Sequence, residues 1–126
     1  TINNINPIDN SYGLITLNDS MFNSEITTDI LENLPKAGAP VYLELDYKSN
    51  TRFLIGVYAN FPQETVLKKD LLWVNPKEEW NKIYVNLTPT ISEAVEAESF
   101  KIFIGVDRNF SIESNMVYLD NLKIVY

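Results

Sequence analysis

Val41-Tyr42-Leu43-Glu44-Leu45-Asp46-Tyr47-Lys48, followed past Ser49-Asn50 by Arg52-Phe53-Leu54-Ile55-Gly56-Val57-Tyr58-Ala59, is the stretch that decides the fold. In the first run Val41, Leu43, Leu45 and Tyr47 share one parity, and Tyr42, Glu44, Asp46 and Lys48 share the other. That period of two belongs to a strand with one buried face. The second run repeats it, with Phe53, Ile55, Val57 and Ala59 set against Arg52, Leu54, Gly56 and Tyr58. Two such runs joined by so short a turn predict an antiparallel hairpin.

Downstream the same period recurs. Leu71 to Val74 reads as a short strand ended by Asn75-Pro76, and Trp80 opens another in which Asn81, Ile83, Val85 and Leu87 alternate with Trp80, Lys82, Tyr84 and Asn86. Ile91, Ala94 and Val95 have helical spacing, so Ile91 to Glu98 is expected to form a short helix or helical turn capped by Thr90 or Ser92. Phe100, Ile102, Ile104 and Val106 make a further strand. In the last segment Val117 and Leu119 share one parity while Leu122, Ile124 and Tyr126 share the other, and a β-bulge at Asp120-Asn121 would keep both sets in the core.

Upstream, Pro35 to Pro40 marks a loop. Met21 to Leu34 fits both a helical spacing, through Ile26, Ile30, Leu31 and Leu34, and a strand, through Thr27 and Thr28, and is assigned to neither. Tyr12 to Leu17 alternates weakly, and the Asn-rich residues 1–11 read as a leader that docks loosely or starts an edge strand. Five or six strands with no long amphipathic helix predict an all-β, two-sheet antiparallel sandwich. Its core would be Leu43, Leu45, Ile55, Val57, Ile83, Val85, Ile102, Ile104 and Leu119. At 126 residues the chain is expected to be one domain.

Composition narrows the function. The 10 Lys and Arg against 17 Asp and Glu give a net charge of -7, which disfavours nucleic acid and anionic membrane surfaces. Neither Cys nor His occurs, which removes disulfides, thiolate and imidazole metal ligands, and most nucleophile-base pairs. The expectation is a non-enzyme without a cofactor. The start at Thr1 suggests a processed chain, and the only membrane link expected is through a removed lipid anchor.

Three stretches carry a resemblance: Val41 to Lys48, Trp80-Asn81-Lys82-Ile83-Tyr84-Val85-Asn86-Leu87, and Tyr118-Leu119-Asp120-Asn121-Leu122-Lys123-Ile124. They resemble the galactose-binding-like jelly rolls of carbohydrate-binding modules and of small Bacteroidetes surface lipoproteins, across residues 41–126. The resemblance implies a jelly-roll sandwich on an exported, extracytoplasmic protein at the cell surface or in the periplasm. It implies a ligand-binding module, most readily for a carbohydrate. The alternative is a structural or protein-interaction domain of a surface lipoprotein, with a protein partner and no small ligand.

Outward parity assigns Tyr42, Glu44, Asp46, Arg52, Tyr58, Lys82, Tyr84, Lys101, Phe103 and Asp107 to the surface of the strands. Tyr42, Tyr58 and Tyr84 would be apolar platforms for sugar rings, with Glu44 and Arg52 as hydrogen-bonding groups, on a face shared by the hairpin and the Trp80 strand. Trp73 is the further platform; Trp80 reads as a core or edge plug. Glu44 and Asp46 lie two apart and so share a face, as an acid and base pair would, but solvated strand carboxylates do the same. Asp120 could serve a structural calcium or, as favoured, bond the unpaired backbone of its own bulge.

Overall fold

The computed structural model describes residues 5–7, 13–17, 23–28, 30–36 and 38–126. These form ten strands and one α-helix: β1 (Ile5–Pro7), β2 (Gly13–Leu17), β3 (Asn23–Thr27), β4 (Leu31–Glu32), β5 (Tyr42–Ser49), β6 (Phe53–Phe61), β7 (Thr65–Val74), β8 (Lys77–Asn86), α1 (Thr88–Glu93), β9 (Ser99–Asp107) and β10 (Asn115–Val125). They build two five-stranded sheets. In sheet I the order is β10, β5, β8, with β1 and β2 sharing the free side of β10; in sheet II it is β9, β6, β7, with β3 and β4 on the free side of β9. Every pairing is antiparallel.

The alternating residues face one another across the two sheets. Leu43, Leu45, Tyr47, Ile55, Val57, Val85, Ile102, Ile104 and Leu119 are all buried, and Ile83 packs half-buried against them. Phe53 meets Tyr47 edge-on, with ring centroids 5.1 Å apart at 75°, in the geometry favoured by the ring quadrupoles. The bulge lies where the parity slips. Register shifts between Asp120 and Lys123, Asn121 takes a φ of 53°, and Leu119, Leu122 and Ile124 are all buried. Asp120 Oδ1 accepts the Asn121 N–H at 2.8 Å, so this carboxylate serves the bulge backbone.

The expected hairpin of the first two runs does not form. β5 pairs with β10 and β8, whereas β6 pairs with β7 and β9. Asn50 extends the β5 ladder, its N–H donating to Met116 O at 3.1 Å and its side chain accepting from Met116 N and donating to Ser114 O, both at 2.7 Å. Thr51 then turns inward and is buried, so the chain crosses to the other sheet. A period of two fixes which face a strand buries, not which strand it pairs with. The hairpin partner of β6 is β7, reached through a 3-10 turn at Pro62–Glu64.

Two boundaries also differ. β7 runs ten residues from Thr65 instead of four from Leu71, because an edge strand with few buried positions shows little alternation. The helix spans Thr88–Glu93, with Pro89 in its first turn, where the missing N–H is unneeded. Asn86 Oδ1 accepts the Thr88 N–H at 3.0 Å ahead of it, and Ile91 and Ala94 are buried as their spacing required, while Val95 is exposed.

Candidate functional site

The outer face of sheet I carries Tyr42, Glu44 and Asp46 from β5, Trp80, Lys82 and Tyr84 from β8, and Lys123 from β10. Register sets Glu44 between Tyr84 and Lys123, and Asp46 between Lys82 and Asp120. The Lys82 ammonium donates to Glu44 Oε1 at 2.8 Å and lies 3.9 Å from Asp46, while Lys123 approaches Glu44 at 3.6 Å and Asn121 Nδ2 donates to Asp46 at 2.7 Å. That hydrogen bond to Glu44 holds the Lys82 pKa above its ordinary value. Both carboxylates are thus engaged in a cross-strand charge ladder, the role of ordinary strand residues. Trp80 is not a core plug: it is 45% exposed on this face, with the Lys48 ammonium 5.4 Å from its ring centroid.

The outer face of sheet II is deeper. Phe103 has outward parity on β9, yet it is 1% exposed. Its ring lies over Gly56 of the adjacent β6, filling the space a Cβ there would occupy, beside Tyr58 at 5.1 Å and under the Lys68 ammonium at 4.7 Å. Two residue pairs along the register, and so on the same face, Gly105 faces Leu54, and a Cβ built on Gly105 would meet nothing within 4 Å. A filled position beside a bare one leaves a cleft of about 370 Å³ with Gly105 and Leu54 as its floor.

Trp73, paired with Leu54 from β7, forms one wall and is 39% exposed. The Arg52 guanidinium stacks 4.2 Å from its centroid and is not part of the cleft lining, so it steadies the ring from outside. Opposite, Glu25 from β3 accepts from the Tyr58 hydroxyl at 2.7 Å and pairs with Lys68 at 3.0 Å. Partial burial pushes the Glu25 carboxyl up, but the bonds from Tyr58 and Lys68 outweigh it and hold the group below its usual value. The bond to Glu25 raises the Tyr58 hydroxyl and the Lys68 ammonium in turn. Asn23, Asp70 and Asp107 complete the polar rim.

The six residues singled out from the sequence therefore divide between two faces. Tyr42, Glu44 and Tyr84 lie together on sheet I; Arg52, Tyr58 and Trp73 lie on sheet II. The expected shared face of the first two runs and the Trp80 strand does not exist, since β6 belongs to the other sheet. Sequence reasoning missed Glu25, Asp70 and Gly105. Gly56 and Gly105, each a lone glycine inside an alternating strand, were the available signal, because such glycines mark places where something approaches the backbone closely.

Folds with this two-sheet arrangement are known. A family 11 carbohydrate-binding module from Clostridium thermocellum, in complex with a β-1,3-1,4-mixed-linked tetrasaccharide, superimposes with a TM-score of 0.53 at 11% identity, covering 96% of this chain and 95% of that one. The family 11 module of the cellulosomal cellulase Lic26A-Cel5E of the same bacterium gives 0.52 at 11% identity, over 99% and 94%. The chain is a jelly-roll sandwich. The same jelly roll matches a chain of infectious bursal disease virus, Gt strain, with a TM-score of 0.60 at 13% identity; it covers 97% of this chain and spans 30% of the viral chain's length. No protein-family model matches the sequence, and neither does any curated protein. At these identities the jelly roll itself is what is shared.

Proposed function

We propose that the chain is a non-catalytic carbohydrate-binding module whose ligand lies in the sheet II cleft. The observation that supports this is the pairing of a half-exposed Trp73 ring, braced by Arg52, with a rim of Asn23, Glu25, Asp70 and Asp107 above a bare glycine floor. An aromatic face takes the C–H face of a pyranose, while carboxylate and amide oxygens accept from its hydroxyls. The tetrasaccharide held by a similarly folded module agrees with that ligand class. Export or lipid anchoring at a bacterial cell surface is part of the proposal and rests on the resemblance of the three sequence stretches. Fractionation of the native host, with protease shaving of intact cells, tests it.

The experiment is affinity electrophoresis and calorimetry on a polysaccharide panel, comparing wild type with Trp73→Ala. Loss of the stacking ring is expected to weaken binding about tenfold, the effect of roughly 1.4 kcal/mol, without unfolding the protein. Undiminished affinity in Trp73→Ala means that the cleft is not the site.

A second reading is an interaction domain that packs its sheet I face against another chain, favoured by Tyr84 at 63% and Trp80 at 45% exposure on that face. A protein partner retained by wild type and lost in Trp80→Ala/Tyr84→Ala, with no polysaccharide bound, would select it.

A further inference from the structure

The charges lining the cleft do not cancel. Glu25 is answered by Lys68 at 3.0 Å, but no cation among the described residues pairs with Asp70 or Asp107. Arg52, the nearest guanidinium to Trp73, stands outside the lining. A ligand seated against Trp73 and over Gly105 therefore meets two uncompensated, exposed negative charges at the rim of a concave space. The chain's net charge of -7 adds to the same field at long range.

We infer that the cleft selects by charge: it accepts neutral or amine-bearing glycans and excludes those whose sugars carry uronate or sulfate groups. This rests on the glycan reading of the cleft. The rejecting elements are Asp70 and Asp107, which can accept hydrogen bonds from hydroxyls or ammonium groups but offer an incoming carboxylate only repulsion. Lys68 does not relieve it, because its ammonium is held by Glu25 and lies over the Phe103 ring, 4.7 Å from the centroid.

The test is affinity electrophoresis of the intact protein in gels containing mixed-linkage β-glucan, hydroxyethylcellulose and galactan as neutral probes, carboxymethylcellulose and polygalacturonate as acidic probes, and chitosan as the amine probe, at low and high salt. The expected result is retardation by at least one neutral or amine probe and affinity for its acidic counterpart at least about tenfold weaker, the gap narrowing as salt rises. Asp70→Asn/Asp107→Asn keeps the shape and hydrogen-bonding capacity and is expected to gain affinity for the acidic probe. A thermal melt of this variant confirms that it is folded. Acidic probes bound as tightly as neutral ones, or a gap unchanged in the double variant, would overturn the charge rule while leaving glycan binding intact. Binding to none of the probes, at either salt concentration, would overturn the glycan reading and the charge rule with it.

Discussion

Gly56→Ala puts the packing of the sheet II face to a quantitative trial. A Cβ at this position would overlap the Phe103 ring and lie 2.6 Å from the Lys69 carbonyl oxygen. The ring has one escape, outward past Lys68, which gives up burial worth about 1.5–3 kcal/mol for a phenylalanine side chain. The carbonyl has none, since it belongs to the backbone of the paired strand β7. Overpacking of this kind costs about 1–3 kcal/mol, and with an immovable partner the upper end is expected. About 3 kcal/mol in a chain of this length lowers the Tm by about 10 °C. Urea and thermal denaturation measure the loss directly, and Phe103→Ala removes the part due to the ring. The double variant should then be less destabilised than the sum of the singles by about 1 kcal/mol or more, the remainder being the carbonyl contact. A Gly56→Ala protein as stable as wild type, or strictly additive effects in the double variant, would refute the account of why Phe103 is buried on an outward-facing position.

Two further predictions follow from local geometry. Glu25 has a lowered pKa in the folded state relative to its ordinary 4.5, so the stability it contributes is present above that value and is lost as pH falls through the lowered one. Urea midpoints measured from neutral to acid pH should fall less steeply in Glu25→Gln, and Tyr58→Phe should move the Glu25 titration upward by NMR; parallel wild-type and variant curves would contradict this. At the bulge, Asn121→Ala places an alanine at a φ of 53° and removes the bond to Asp46, and is expected to cost about 1–2 kcal/mol, with Asn121→Gly costing less because glycine takes that conformation freely. Equal losses in the two variants by chemical denaturation would show that the backbone conformation is not what Asn121 supplies.

Residues with a strict alternation were legible as to which side they bury. Leu43, Ile55, Val85 and Ile104 each point inward as their parity required, and the Leu119-to-Leu122 slip correctly marked a bulge. What parity could not convey was adjacency. The same two residues that look like a turn, Ser49-Asn50, also serve as the start of a crossing, and only the bonds from Asn50 to Ser114 and Met116 decide between them. Because the site is a product of adjacency, its residues scattered: Trp73 was noticed as an aromatic, but Glu25, Asp70 and Gly105 have meaning only once β3, β9, β6 and β7 lie side by side. Phe103 keeps its outward parity but is buried, for the same reason. Its burial comes from a glycine on a neighbouring strand, a relation no local pattern records.

β10 is the strand on which sheet I depends, since β1, β2 and β5 all bond to it and it comes after all of them in the sequence. Tyr42 waits for Val125 and Ser49 for Val117, so on a chain emerging from the ribosome one side of β5 has no partner until residues 115–125 have cleared the exit tunnel. Sheet II can pair β6 with β7 early through their own turn, whereas β3 and β4 wait for β9. Sheet I therefore closes only once β10 is in place, and a chain stopped before β10 would leave β5, with Leu43, Leu45 and Tyr47, paired to β8 on one side and open on the other, an edge that aggregates or recruits chaperones.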